Sequence, residues 1–372
     1  MGSNSKCTNL TSINNFPINY KVVKFKGGQI LRAALLLIIG LGLVYLLVYM
    51  VGGREILVLL VNTNLIYVIL ASCLYILSLL IKSLTWQILQ KAKYPNLSLI
   101  STFPVWAFGY ALSTALPGKT GDIVRLEVHR KYQDLSVGDA ASIVLFTRIY
   151  DMLFIITFSA LGVFIVLQQY FLSLNAIYFT IFIFILFCFV LIFAVLVTFK
   201  RSVGELFLKI LHSLLRKMPS RMKRLAERIN NSAINELDNF YESVELYKTL
   251  KYPLFAVPML TALRWFIELF ATVLVFRSIG ASVSIWTIAL AISVSILVGI
   301  ATAMPASLGT GTLAGFAIYR LLGIADDIAV AATLIGLFLG PGVTIICGIS
   351  SLVVLELRKW VKQRHVENEE PS

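Results

Sequence analysis

The stretch Ser278–Tyr319, SIGASVSIWTIALAISVSILVGIATAMPASLGTGTLAGFAIY, carries no charged side chain from end to end. As one straight helix it would be about 63 Å long, twice the hydrocarbon core of a bilayer. It must fold back or break, and the run from Ala303 through Pro305 and Gly309 to Gly311 is where a helix is interrupted. Tyr94–Gly118 behaves in the same way. It ends in Ala115-Leu-Pro117-Gly118-Lys119-Thr-Gly121-Asp122 and runs into a basic segment from Arg125 to Lys131.

The rest of the 372-residue chain suits the same solvent. Hydrophobic residues make up 58 % and charged ones 14 %, with a mean hydropathy of +0.86. A soluble globule is roughly half apolar and about a quarter charged. Too few polar side chains remain to cover a water-facing surface, so the composition specifies an integral membrane protein. Four cysteines (Cys7, Cys73, Cys188, Cys347) show no metal or redox spacing. The net charge of +13 reads as basic loops beside a membrane, not as a nucleic-acid surface.

Six ordinary spans follow from apolar runs close to the length that crosses a bilayer, about 20 residues. They are Ala33–Val51, Leu65–Ile81, Ala140–Leu167, Ala176–Phe199, Tyr252–Phe276 and Ile328–Leu355. The first is too long and too far into the chain for a signal peptide, and it lacks a small-residue cleavage site. One gapless shift lays Thr114-Ala-Leu-Pro117 on Thr302-Ala-Met-Pro305, Gly121 on Gly309 and Asp139 on Asp327. Both copies are the segments that break the span rule, which points to an internal duplication.

Charge decides the topology. If every segment crosses fully and the N-terminus is cytoplasmic, the loop Lys200–Lys251, with eleven Lys/Arg against six acids, lies outside. That violates the positive-inside rule. If both broken segments are hairpins that return to the side they entered, 27 of the 32 Lys and Arg become cytoplasmic. Arg54, Arg277 and Arg320 are left outside, with Arg148 and Arg264 in the membrane. The expected fold is therefore all-α, a polytopic membrane protein with six full spans plus two re-entrant helical hairpins in an inverted repeat. Its expected parts are a cytoplasmic segment 1–30, a first repeat 31–199 (hairpin near 98–131), a basic linker 200–251, a second repeat 252–357 (hairpin near 285–322) and a tail 358–372. Within the linker, 203–218 shows helical apolar spacing. It reads either as an interfacial helix on an anionic leaflet or as a helix packed on the bundle.

Ionisable groups in hydrocarbon are functional candidates by default. Arg148 and Asp151 lie three apart, and Arg264 and Glu268 four apart, so each set is expected to pair within its own helix. Such pairs either fix helix packing or leave the arginines to engage a phosphate, which the planar guanidinium suits. The two breaks, Pro117 to Asp122 and Pro305 to Gly311, are the other candidates, because a broken helix frees N–H groups and turns a positive dipole toward an anion. A plain kink is the alternative. Gly118-Lys119-Thr120 lacks the earlier glycine and the strand of a nucleotide loop. His129, His212 and His365 are dispersed, and the first two are expected to be solvated in basic segments. Asn9-Leu-Thr11 is a glycosylation sequon that would be silent on the cytoplasmic side. No catalytic motif, metal set or cofactor signature is present, so an enzyme is not expected.

Three motifs carry a resemblance. Ala115-Leu-Pro-Gly-Lys-Thr-Gly-Asp-Ile-Val-Arg125 resembles a "Pro, Gly, acid, then Arg" hairpin, Arg148-Ile-Tyr-Asp151 an "Arg, two apolar, Asp" helix, and Met304-Pro-Ala-Ser-Leu-Gly309 a second Pro/Gly turn. The family they resemble is the flippase-like transmembrane region of the lysylphosphatidylglycerol synthases, which also occurs as stand-alone proteins. The likeness covers roughly residues 30–357. It implies lipid translocation, with Pro117, Gly118, Lys119, Gly121, Asp122, Arg125, Arg148, Asp151, Arg264, Glu268, Pro305, Gly309 and Gly311 as candidate binding residues. The chain departs from the family at Thr310–Thr312, where a Glu is usual, and at Gly336, where an Arg is frequent. Few residues follow the last span, so lysyl-lipid synthesis is not expected.

Two functions lead, and a membrane-embedded enzyme, which only an unrecognised polar constellation in the cavity could support, is the remainder. One is a flippase or transporter for a membrane phospholipid or a polyprenyl-phosphate-type lipid in the plasma membrane, with both termini cytoplasmic. The other is a non-transporting partner of an envelope enzyme, motivated by the basic linker. Topology is the cheapest test. In a cysteine-free background, single cysteines at Lys131, Lys223 and Lys362 should resist an impermeant thiol reagent added outside, and cysteines at Asn175 and Gly323 should react. Labelling at Lys131 or Lys223 would break the hairpin topology.

Overall fold

The computed structural model describes residues 27–116, 120–169, 174–216, 236–302 and 304–369. Pro117, Gly118, Lys119 and the sequon at Asn9 lie outside these residues, as do 217–235 of the linker. Among the described residues every regular element is helical. In chain order they are α1 (Gly27–Val51), α2 (Gly53–Val61), α3 (Leu65–Lys91), α4 (Leu99–Ala115), α5 (Thr120–Gln133), α6 (Val137–Gln169), α7 (Leu174–Phe199) and α8 (Arg201–Arg216). Then come α9 (236–249), α10 (Lys251–Ser278), α11 (Ile285–Ala301), a 3-10 turn (Pro305–Ser307), α12 (Thr310–Leu321), α13 (Asp326–Leu337), a π turn (Phe338–Gly342) and α14 (Val343–Glu369). Polar side chains start several of them. Asn64, Ser98 and Ser284 each accept a backbone N–H in the first turn of α3, α4 and α11.

Among the described residues, four stretches are long and apolar enough to cross a bilayer: Leu65–Lys91, Val137–Phe164, Lys251–Ser278 and Asp326–Arg358. α7 (Leu174–Phe199) covers the fourth expected span, and its Cys188–Phe199 stretch is apolar. The first expected span differs. The chain turns by 95° between Leu37–Val51 and Gly53–Val61, because Gly52 adopts φ 113, a conformation side chains disfavour. The two arms pack on α12, α13 and the 3-10 turn between α11 and α12. The last span is also not a plain helix, since Pro341 removes a donor and the ladder loosens into the π turn.

The element order repeats. Under the shift that lays Thr114 on Thr302, the starts of α3, α4, α5 and α6 fall within two residues of the starts of α10, α11, α12 and α13. Asp139 and Asp327, matched by that shift, both lie in the first turn of their helices. Packing repeats as well. α3 lies on α10, while α4 packs on α14 and α11 on α6. The bond of Tyr75 to Thr272 and that of Ser78 to Glu268 make α3 and α10 antiparallel.

Side chains are arranged for an apolar solvent. On α10 the exposed residues Tyr252, Phe255, Met259, Leu263, Phe266 and Phe270 form a helical stripe, as do Ile346, Ile349, Val353, Leu357 and Trp360 on α14. Two apolar cores lie inside. One gathers Ala71, Ile155, Phe158, Leu269 and Phe276, and the other Trp86, Leu89, Trp106, Phe146 and Tyr247. A polar seam lies between them along α3 and α10. At one end of the bundle Asp139 accepts hydrogen bonds from Lys93 (3.0 Å), Tyr94 (2.6 Å) and Ser243 (2.7 Å), tying α9 to the start of α6. Partial burial pulls the Lys93 ammonium down, but its bonds to Glu242 and Asp139 outweigh this and raise it above the usual lysine range. α8 leaves Leu206, Phe207 and Ile210 exposed on one face.

Close approach between the hairpin helices and the long spans depends on small residues. A Cβ on Gly348 of α14 would run into the Ala111 methyl of α4 and sit 3.2 Å from the Ala107 carbonyl. Gly348→Val should therefore lower the melting temperature of the purified protein, by about 1–3 kcal/mol in stability terms. Gly336→Ala, at a position with open space around it, should leave it near wild type. Equal melting temperatures would mean that the α4–α14 contact is looser than described.

Candidate functional site

The α3–α10 seam sets out a polar row. Tyr75, Ser78 and Lys82 share one face of α3 by i, i+3, i+7 spacing, and Arg264, Glu268 and Thr272 share one face of α10. They interlock. Ser78 donates to Glu268 Oε1, Lys82 Nζ stands 3.1 Å from the same oxygen, and Tyr75 and Thr272 share a hydrogen bond of 3.2 Å. Arg264, only 4 % exposed, pairs with Glu268 at 3.0 Å as expected from their spacing. Its guanidinium lies 4.5 Å from the centre of the Trp265 ring.

The expected pair within α6 does not form. Arg148 turns to Asp122 of α5, at 3.3 Å and 3.4 Å, and Asp151 turns to Arg264 of α10. Helical side chains lean toward the N-terminus of their own helix. Arg148 therefore extends away from Asp151, and the short Asp151 carboxylate cannot follow it. The α6 charges thus bridge two different helices and clamp α5, α6 and α10 together.

Arg125 is held differently. It is buried, with its guanidinium 4.1 Å from the Trp86 ring and 5.5 Å from both Trp106 and Tyr110. No carboxylate among the described residues pairs with it, and its Nε lacks a hydrogen-bond partner there. Gly109 leaves room for its stem, since a Cβ there would lie 2.9 Å from Arg125 Cγ. His129, one turn further along α5, is fully buried rather than solvated. It stacks on Trp86 at 4.3 Å and shares a 2.7 Å hydrogen bond with Gln133. Its helix is amphipathic, and the basic neighbours Arg130 and Lys131 occupy the other face.

The end of α4 and the second helix break converge on this cluster. A cavity of about 280 Å³ is lined by Ser78, Lys82, Arg148 and Glu268, by Tyr110, Ser113 and Leu116 near the end of α4, by Gly299, Met304, Ala306 and Ser307 at the second break, and by Gly340 and Pro341 of the π turn. A second, more apolar cavity of about 250 Å³ shares Tyr75, Glu268, Ser307 and Pro341 with it and runs on toward Phe276 and Tyr319. A third, of about 50 Å³, continues the row past Arg125 to Thr85 and Thr261. Pro305 opens the second break and is buried. Ala306 and Ser307 both adopt positive φ (50 and 57) facing the cavities, a strained backbone of the kind stored at functional sites. Gly309 (φ 84) lies against Gly40 of α1, and Gly311 lies against Ser295 and Ser307, so these two serve close packing. Gly121 likewise packs α5 onto the Leu112–Ser113 backbone.

Of the candidates, Asp151, Arg264 and Glu268 form one bonded set and Asp122 with Arg148 a second beside it, Arg125 stands close by, and Pro305, Gly309 and Gly311 shape the facing break. Lys82, Ser78, Tyr75 and Tyr110 belong to the site and are not singled out by the sequence. Lys82 sits at the end of an apolar run and reads as a flank. Its i, i+7 relation to Tyr75 is the available signal. Among the described residues no three His, Cys, Asp or Glu side chains group as for a metal.

A family model of the lysylphosphatidylglycerol synthase TM region matches residues 30–348. The chain belongs to that family. It is 23 % identical to a UPF0104 membrane protein of Pyrococcus horikoshii over 88 % of this chain and 98 % of the relative. A second UPF0104 membrane protein, from Methanothermobacter thermautotrophicus, is 22 % identical over 82 % of this chain and 90 % of its own. No solved structure gives a significant match.

The pairing pattern is testable by double-mutant cycles on thermal stability. Arg264→Gln with Asp151→Asn should show a coupling of about 1–3 kcal/mol, and Arg148→Gln with Asp151→Asn a coupling near zero. The reverse ranking would restore the pair within α6.

Proposed function

We propose that this chain is a flippase-like lipid translocator that binds an anionic headgroup between two re-entrant hairpins. The observation that carries the reading is the cavity between the end of α4 and the second helix break, with Lys82 and Arg148 on its wall. Cations at that depth are costly, several kcal/mol each when unmatched, and suit a ligand that brings the opposite charge. The antiparallel α3 and α10, and the exchange of α4–α14 for α11–α6, support an inverted repeat of the kind transporters use for alternating access. The adjoining apolar cavity suits the first part of a lipid tail. In this reading the hairpins enter from opposite faces, the basic linker and both termini are cytoplasmic, the membrane is the cell membrane, and the chain performs no covalent chemistry.

A non-transporting partner of an envelope enzyme is the second reading, favoured by the exposed apolar face of α8 beside the clamped α9. Reconstitution separates the two. Proteoliposomes containing the wild type should expose fluorescent phosphatidylglycerol or polyprenyl phosphate from the inner leaflet to external dithionite. Arg148→Gln should slow that at least about tenfold, a loss of about 1.4 kcal/mol. Vesicles no faster than protein-free controls, with a stable enzyme partner recovered by pull-down, would favour the second reading.

A further inference from the structure

We propose that the Asp122 carboxylate holds the place of the lipid phosphate on Arg148, that an incoming headgroup displaces it, and that the site thereby selects headgroups of net negative charge over aminoacylated, cationic ones. The proposal rests on the reading of the cavity as a lipid-headgroup site and goes on to name its charge class and the group that exchanges.

The first argument is a charge inventory. Among the described residues four cations, Lys82, Arg125, Arg148 and Arg264, face three carboxylates, Asp122, Asp151 and Glu268. Glu268 is shared by Lys82 and Arg264, Asp151 serves Arg264, and Asp122 serves Arg148. Arg125 has no carboxylate of its own among them and is only 6 % exposed amid aromatic rings. In a water-poor interior one uncompensated positive charge is expensive, and a mono-anionic phosphate restores neutrality. A lysyl ester of phosphatidylglycerol carries a net positive charge and would add to the excess.

The second argument is geometric. Charge-assisted N–H···O bonds normally span about 2.7–2.9 Å, whereas Arg148 Nη2 reaches the two Asp122 oxygens at 3.4 Å and 3.3 Å. Those are the hydrogen bonds Arg148 makes among the described residues, so the rest of its fork remains for a ligand. Asp122 has a second anchor ready, the Ser113 hydroxyl of α4. Both Ser113 and Arg148 line the cavity, and Lys82 stands on the same wall. A phosphate entering there takes Arg148 and Lys82 together, while Asp122 falls back on Ser113. Because Asp122 begins α5, this exchange loosens the first hairpin from α6, which links occupancy to hairpin movement.

The test uses the full-length protein in nanodiscs of zwitterionic lipid, with binding of phosphatidylglycerol, lysyl-phosphatidylglycerol and inorganic phosphate measured by native mass spectrometry and by ligand-induced thermal shift. Wild type should prefer phosphatidylglycerol to its lysyl ester at least tenfold. Asp122→Asn keeps a partner for Ser113 but drops the competing charge, and should bind phosphatidylglycerol several-fold tighter. Arg148→Gln should lose the preference. Equal binding of the lysyl ester overturns the charge selection, and weaker or unchanged binding by a folded Asp122→Asn overturns the displacement. Phosphate that competes as well as the lipid makes this a free-anion site and overturns the lipid assignment. If Asp122→Asn does not fold, Ser113→Ala takes its place: it removes the fallback and should weaken phosphatidylglycerol binding several-fold, and unchanged binding overturns the displacement. Wild type that binds neither lipid contradicts the translocator reading itself.

Discussion

Arg264, at 4 % exposure, is matched by Asp151 from α6 and Glu268 from its own helix, and Glu268 in turn holds Lys82 and Ser78 of α3. These charges must be neutralised away from water, and the bundle is arranged around them. Removing one partner of such a set strands a charge and costs about 3–5 kcal/mol. The set therefore fixes how α3, α6 and α10 stand relative to one another more firmly than apolar packing, which in lipid has little hydrophobic drive. The two apolar cores lie on either side of this set.

The broken helices belong to the same constraint. Non-helical backbone at membrane depth survives only where protein or trapped water satisfies it. Here the second break lies against α1 through Gly309 and Gly40, and Ala306 and Ser307 hold a strained turn beside the cavity. The bent α1–α2 pair covers this half of the molecule.

The all-helical membrane character and the break in the long uncharged run are legible in the sequence because they follow from composition and length. The run from Ser278 to Tyr319 is too long for one span, and the chain breaks within it between α11 and α12. The shift found in a few identities, Thr114 on Thr302 and Pro117 on Pro305 among them, reappears in the helix starts. Pairing is less legible. Sequence spacing says which residues share a face, and it places Arg264 with Glu268. It does not say which neighbouring helix comes within reach, and so it misplaces Asp151 and Arg148, whose partners lie 113 and 26 residues away. His129 is misread because a basic segment can still bury one face, and Lys82 because a lysine ending an apolar run looks like a flank. The bend at Gly52 leaves only a two-glycine signal inside an otherwise apolar stretch.

The central claim is that the cavity between the two breaks receives an anionic headgroup. The most direct measurement is a cryo-EM map of the protein in nanodiscs rich in phosphatidylglycerol. The account predicts headgroup phosphate density within hydrogen-bonding distance of Arg148 and Lys82, with the Asp122 carboxylate moved toward Ser113. A map with lipid confined to the outer stripes of α10 and α14, and Asp122 still on Arg148 beside a water-filled cavity, would contradict it.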